Sequence, residues 1–127
     1  MAAKKNSAKA KPVKAKPAPA ARRSPRARVT RPANGQPLAG VVVIDLSHIY
    51  NGPYATFLMA MAGAEVIKVE PRGGEHLRHR ANLGGAALPF AMLNSNKKSV
   101  TLDLKSKRGL ALLIEMIRRA DVLVENF

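Results

Sequence analysis

A chain of 127 residues with 46% hydrophobic side chains is long enough to close one core, and its net charge of +14 is lopsided: residues 1–36 hold eleven of the 22 Lys and Arg and none of the eight acidic residues, leaving a net of +3 for the remainder. With no cysteine, a disulfide framework, a Cys-ligated zinc and a thiol nucleophile are excluded within these residues. No apolar run approaches the roughly 20 residues of a membrane span and the N-terminus lacks the apolar centre of a secretory signal, so a cytoplasmic protein with no membrane contact is expected.

Residues 1–36, "MAAKKNSAKAKPVKAKPAPAARRSPRARVTRPANGQ", are mostly Ala, Lys, Arg and Pro. Such a composition cannot bury enough surface to offset the entropy of ordering, and a disordered tail is expected. Its charges suit weak, non-specific contact with nucleic-acid phosphates, but no aromatic residue interleaves them to stack on bases. A solubilising extension is the simpler reading. The prolines argue against a transit peptide, because they break the amphipathic helix that such a peptide needs.

From Pro37 the texture changes. "GVVVIDL" (40–46) is a short β-branched run of the kind that forms a strand buried on both faces. Pro53 suits the first turn of a helix capped by Asn51 or Gly52. Tyr54, Phe57, Leu58 and Met61 fall at i, i+3, i+4 and i+7 and predict one apolar helical face, with Gly63 as a left-handed stop. "AEVIKVE" (64–70) predicts a second strand, parallel to the first.

"PRGGEHLRHRANLGGAALP" (71–89) reads as a long surface loop and "FAMLN" (90–94) as a short helix. "SVTLDLK" (99–105) alternates as a half-buried strand with Val100, Leu102 and Leu104 on one face. Ser106 is placed to cap a helix whose Leu110, Leu113, Ile117 and Ala120 make a stripe, and "DVLVENF" predicts a last strand. Strands alternating with helices predict an α/β fold class: a partial Rossmann-like domain with a mainly parallel sheet over residues 37–127, preceded by the basic tail. The turn after the first strand, "SHIYNGP", has only Gly52 where a dinucleotide fold wants G-x-G-x-x-G. Glu70 at the end of the second strand, where an acidic residue would meet a ribose, is weak evidence by itself.

Three ordered blocks, "PLAGVVVIDLSHIYNGPYATFLMAMAGAEVIKVEPRGGEHLR", "NSNKKSVTLDLKS" and "RRADVLVENF", resemble the successive N-terminal signatures of the class III CoA-transferases. That family includes formyl-CoA:oxalate and carnitine CoA-transferases and the related α-methylacyl-CoA racemase. The resemblance runs from Pro37 to Phe127 and leaves the tail outside. It implies a Rossmann-like large domain that binds coenzyme A, an acyl-CoA and a carboxylic acid as substrates, and an aspartate that takes the acyl group as a mixed anhydride. It also implies interlocked homodimers, an assembly not expected of these 127 residues alone.

Position by position, the resemblance implies that His48, Ile49, Tyr50 and Asn51 lie against the thioester end of coenzyme A. Tyr50 and Asn51 stand where members often carry Gln or a small residue. It implies that Arg72 meets the adenosine-phosphate end, that Leu102 and Lys105 flank the adenine and its phosphates, and that Asn126 and Phe127 close over the pantetheine arm. The chemistry of the ligand agrees: a 3′-phosphate and a pyrophosphate suit a cationic surface, for which Lys97, Lys98, Lys105, Arg72, Arg78 and Arg80 are candidates. The plainer readings are a solvated turn for Lys97 and Lys98 and a hydrogen-bonding loop residue for His48. His76 and His79, three apart in a loop, lack the further ligands a metal site needs, and no metal is expected.

Two departures from the family pattern stand out. Where members commonly read Ser-Pro-Glu-Gly at the last helix, this chain reads "SKRG", which removes an acidic residue from the positive end of the helix dipole. The family's catalytic aspartate falls beyond Phe127; Asp45, Asp103 and Asp121 match structural positions, so no catalytic residue is assigned within this chain. The expectation is the N-terminal part of a CoA-transferase, without transfer chemistry of its own and with an apolar sheet edge left open. The alternatives are an α-methylacyl-CoA racemase-type enzyme of the same superfamily, a free-standing coenzyme A or nucleotide-binding module, and a nucleic-acid binder acting through the tail.

Overall fold

The computed structural model describes residues 35–80, 82–83 and 86–127. The readings made for residues 1–34, disorder and nucleic-acid contact among them, lie outside the described residues. In chain order the elements are β1 (Val42–Asp45), α1 (Asn51–Met61), β2 (Glu65–Glu70), a single 3-10 turn (His76–His79), a two-residue antiparallel pair β3 (Asn82–Leu83) and β4 (Ala86–Ala87), α2 (Leu88–Asn94), β5 (Lys98–Thr101), α3 (Lys107–Arg119) and β6 (Val122–Val124).

The four longer strands form one parallel sheet in the order β5-β2-β1-β6. Val43 lies opposite Val66 on one side and Val122 on the other. This is the strand order of a Rossmann half with one strand of the next half added, so the sheet has a switch point between β1 and β6.

Successive residues of a strand face opposite sides, and here both sides are covered. Ile44 and Leu46 join Val69, Leu113 and Ala120 under α3, while Val43 joins Ala60, Ala64 and Val66 under α1. Val43, Ile44 and Val66 are at most 1% exposed, and each contributes about 1.5–3 kcal/mol by leaving water. The run "VVVID" therefore needs no alternation of apolar and polar residues, as expected for a strand buried on both faces.

Four expectations change in detail. The stretch 71–89, expected as a surface loop, carries the 3-10 turn, the β3–β4 pair and the start of α2, and it buries Glu75 and Leu77 to at most 1% exposure, because an apolar side chain and a capping carboxylate inside it find partners on other elements. Helix α1 begins at Asn51 and is preceded by Tyr50, with no side-chain cap, so neither Asn51 nor Gly52 caps it. Nor is its predicted apolar face the buried one: Tyr54, Leu58 and Met61 are about half exposed, and the helix seats Gly52, Pro53, Thr56 and Ala60 on the sheet. Small residues let the helix approach closely, and the Thr56 hydroxyl finds a buried partner there. The strand expected over 99–105 is β5, which ends at Thr101. Leu102 still donates its amide to Glu70, but Asp103 then turns the chain by accepting the Lys105 and Ser106 amides. Val100, Leu102 and Leu104 nevertheless all pack on the α3 side.

Other expectations hold. Gly63 ends α1 at φ 97°, and Ser106 caps α3, its hydroxyl accepting from the Gly109 amide at 3.0 Å. Along the α3 stripe Leu113 and Ala120 are buried, whereas Leu110 is 47% exposed.

Candidate functional site

Because the sheet is parallel, the carboxyl ends of β1, β2, β5 and β6 open on the same side of the molecule. The loops that follow them enclose a cleft of about 490 Å³. Its wall is apolar where Leu46, Val69, Leu102, Leu104 and Phe127 meet, and its rim carries His48, Arg72 and Lys105. Phe127, the last residue of the sequence, is 80% exposed. A smaller hollow of about 220 Å³ continues past His48 and is lined by Ile49, Tyr50, Asn51 and Asn126. The nine residues singled out from the resemblance, His48, Ile49, Tyr50, Asn51, Arg72, Leu102, Lys105, Asn126 and Phe127, thus gather around two adjoining depressions that share His48.

The turn at residues 48–50 is fixed by two distant segments. Asn126 takes both main-chain groups of His48: its Oδ1 accepts the amide at 2.7 Å and its Nδ2 donates to the carbonyl at 2.9 Å. The His48 ring lies 5.6 Å from the Phe127 ring. Glu75 Oε1 accepts the Ile49 amide at 3.0 Å and the Leu77 amide at 3.1 Å.

Beneath the turn is a buried polar cluster that periodicity does not reveal. Asp45, fully buried, accepts from the Ser47 and Thr56 hydroxyls, and Lys97 Nζ approaches it at 3.0 Å. Burial opposes ionisation of Asp45, but the two hydroxyls and the ammonium groups of Lys68 and Lys97 outweigh it and hold the carboxyl below its ordinary value. Lys97 also donates to the Pro53 carbonyl and Asn94 Oδ1, and Lys68 donates to the Ser47 carbonyl at 2.9 Å. Burial lowers the Lys97 pKa, with Asp45 opposing that shift. Together these bonds lock the strand-to-helix turn to both β2 and the start of β5.

The cluster corrects the expected cationic surface. Lys97 is neither a surface cation nor a solvated turn residue, since its side chain is 1% exposed. Lys98 stands at the amino end of β5, away from the cleft, and pairs with Glu65 at 2.6 Å. Arg78 grips both oxygens of Glu70 at 2.6 and 2.7 Å and lies 3.8 Å above the Phe90 ring. Arg80 borders a separate hollow with Ile49, His76 and His79. Of the six candidates, Arg72 and Lys105 remain on the cleft, and neither forms an ion pair among the described residues.

Glu70 is not free to meet a ribose. Burial pushes its pKa up, but hydrogen bonds from Arg78, Ser99 and the Glu75 amide outweigh that and hold it at about 2. His79 Nε2 lies 2.7 Å from the Gly73 carbonyl, and His76 sits edge-on to His48 at 6.4 Å. Among the described residues no group of three or more His, Cys, Asp or Glu gathers in a way that could hold a metal ion.

Sequence reading missed Ser47, Thr56, Lys68 and Glu75. A signal was present for Thr56, four residues after Gly52 and hence on the same helical face, and for Lys68, a charge inside a strand otherwise buried on both sides.

Residues 38–127 match the profile of the family described as CoA-transferase family III. Over 94 residues the chain is 47% identical to formyl-CoA:oxalate CoA-transferase of Streptomyces coelicolor, covering 71% of this chain and 22% of that protein. It is 43% identical over 101 residues to acetyl-CoA:oxalate CoA-transferase of Acetobacter aceti, covering 77% and 26%. It is 38% identical over 106 residues to the succinyl-CoA–L-malate CoA-transferase alpha subunit of Chloroflexus aurantiacus, covering 78% and 25%. Among solved structures, a CAIB/BAIF family protein from Brucella suis superposes with a TM-score of 0.68 at 34% identity, over 72% of this chain and 26% of that one. The chain therefore spans about a quarter of the length of the relatives it matches. Among the described residues no helix is long and apolar enough to cross a membrane.

Proposed function

With residues 38–127 matched throughout, this chain belongs to CoA-transferase family III, and on that premise we propose that the cleft at the carboxyl ends of its strands is the binding wall for coenzyme A. The protein's reaction is then the movement of coenzyme A between an acyl-CoA and a carboxylic acid in the cytoplasm, through an acyl anhydride on an aspartate that residues 1–127 do not supply.

The observation that carries this reading is the pairing of two cations without an ion pair among the described residues, Arg72 and Lys105, with an apolar wall of Leu102, Leu104 and Phe127 in one cleft. A coenzyme A molecule has phosphates at one end and an adenine and a pantetheine arm to lay on apolar surface. Arg72 can take a phosphate through two parallel N–H donors and Lys105 as a point charge. Ile49 and Tyr50 line the adjoining hollow that shares His48 with the cleft, and this reading gives that hollow to the thioester. Two carboxylates at this site are already committed, Asp45 to Thr56 and Lys97 and Glu70 to Arg78 and Ser99, while Asp103 gives one oxygen to the Lys105 amide in the turn after β5. In this reading the acyl-accepting aspartate is supplied from elsewhere. Relatives named as CoA-transferases favour transfer over racemisation.

Titration calorimetry with coenzyme A tests the reading. Arg72→Ala and Lys105→Ala should each weaken binding roughly tenfold, the loss of a charge-assisted contact, and shallow its dependence on salt. Unchanged affinity in both variants would overturn the assignment of the phosphate end.

A further inference from the structure

The turn between β1 and α1 adopts a conformation its own residues disfavour. Ile49 has φ 66°, in the left-handed region where a β-branched side chain is a genuine outlier. Such a residue persists only where its surroundings over-determine it, and outliers of this kind cluster at binding sites.

What holds Ile49 is a carboxylate from 26 residues away. Glu75, 1% exposed, turns Oε1 to the Ile49 amide and caps the 3-10 turn with the same oxygen through Leu77. The Glu75 amide donates to Glu70 Oε2 at 3.2 Å, and Glu70 is in turn fastened by Arg78 and Ser99. Ile49 is thus tied through Glu75 to the end of β2 and the side of β5. The second oxygen, Oε2, is buried with no hydrogen-bond partner among the described residues. Burying a carboxylate with one oxygen unsatisfied is costly, and capping one short 3-10 turn does not require it, since a shorter Asp or Ser performs that task.

We propose that Glu75 is a positioning residue for the cleft, holding Ile49 left-handed and thereby setting the His48–Tyr50 edge against the ligand. The affinity consequence rests on the coenzyme A reading above; the conformational one does not.

The test compares Glu75→Ala, Glu75→Gln, Ile49→Gly and the double substitution Glu75→Ala with Ile49→Gly, all in the full chain. NMR reads the strong intraresidue amide–Hα Overhauser contact that marks a left-handed Ile49, and calorimetry reads coenzyme A affinity. Glu75→Ala should lose the Overhauser signature and weaken binding about tenfold. Glu75→Gln keeps an oxygen for both amides and should retain both properties. In the Ile49→Gly background the alanine substitution should cost less than about threefold, because glycine reaches positive φ unaided. If Glu75→Ala does not fold, Glu75→Met, which fills the space without an acceptor, takes its place. A left-handed Ile49 that survives loss of the carboxylate overturns the proposal, as does an equal affinity loss in both backgrounds. If the unsubstituted chain takes up no coenzyme A, the reading of the cleft falls, while the Overhauser comparison still decides the role of Glu75.

Discussion

Asn126 continues the sheet where its backbone stops. The β1–β6 ladder runs on through the Leu46 amide, which donates to the Val124 carbonyl at 2.8 Å, and the Asn126 side-chain amide then pairs with the His48 amide and carbonyl at 2.7 and 2.9 Å. A carboxamide has the donor and acceptor of a peptide group, so it extends the pairing one step into the cleft.

Asn126→Asp keeps the acceptor and replaces the donor with a second anionic oxygen facing the His48 carbonyl. Stability should fall by about 1 kcal/mol, seen as a lower urea midpoint at unchanged slope. Coenzyme A affinity should fall more steeply than stability, because the turn that faces the ligand moves first. Equal affinity in Asn126→Asp and the parent would show that the pairing does not matter to the site.

Lys97→Met should be among the most damaging single changes in the chain. It strips a fully buried Asp45 of a cation at 3.0 Å, and breaking a buried pair from one side costs roughly 3–5 kcal/mol. The companion Lys97→Met with Asp45→Asn removes the uncompensated charge and should recover part of that loss. Chemical denaturation of the three proteins gives the comparison.

Acid should unfold the protein through Glu70. Its folded pKa of about 2 lies below the ordinary 4.5, so the stability it contributes is complete above about pH 5 and is lost as pH falls from 4.5 towards 2. Asp45, also held below its ordinary value, acts in the same direction. The urea midpoint should therefore fall across that window. In Arg78→Met the Glu70 pKa moves back up, so the protein should be less stable at neutral pH and lose less on acidification. An acid slope unchanged by Arg78→Met would remove Glu70 from the account.

Gly52→Ala should displace the turn even though Gly52 has no unusual φ. An added Cβ would stand 2.2 Å from Ser47 Cβ and 2.6 Å from Ser47 Oγ, and Ser47 is fully buried against Asp45. Overpacking of this kind costs about 1–3 kcal/mol, and thermal unfolding should record it as a lower Tm. A wild-type Tm would mean that the helix can lift away from the turn at no cost.

Much of the architecture was legible because it rests on local pattern. "GVVVIDL" announced a strand buried on both faces, Gly63 a left-handed stop and Ser106 a cap, since each depends on residues within a few positions. Helix α1 was misread for the opposite reason. Apolar residues run around most of that helix, so periodicity could not choose between the face of Tyr54, Leu58 and Met61 and the face of Thr56 and Ala60. A buried partner for the Thr56 hydroxyl decided it, and that partner lies on another element. Lys97 was misread in the same way: in the sequence it belongs to a charged pair with Lys98, yet one of the two is buried against Asp45 and the other is on the surface with Glu65.

By itself the sequence determined the alternation of the four main strands with three helices, the parallel α/β class and the concentration of charge in residues 1–36, while the set of residues that gathers at one end of the sheet came from the family resemblance. The tertiary structure alone decided which of those residues are available to a ligand. Six cations looked equivalent along the chain, but burial and pairing commit Lys97, Lys98 and Arg78 elsewhere, Arg80 borders a separate hollow, and Arg72 and Lys105 are left on the cleft. It also decided the shape of the turn that faces the ligand, because a left-handed Ile49 is disfavoured locally and is held by contacts from Glu75 and, through His48, from Asn126, residues 26 and 77 positions away. Interactions across such distances have no local signature, since the energy that selects them appears only when the chain has closed.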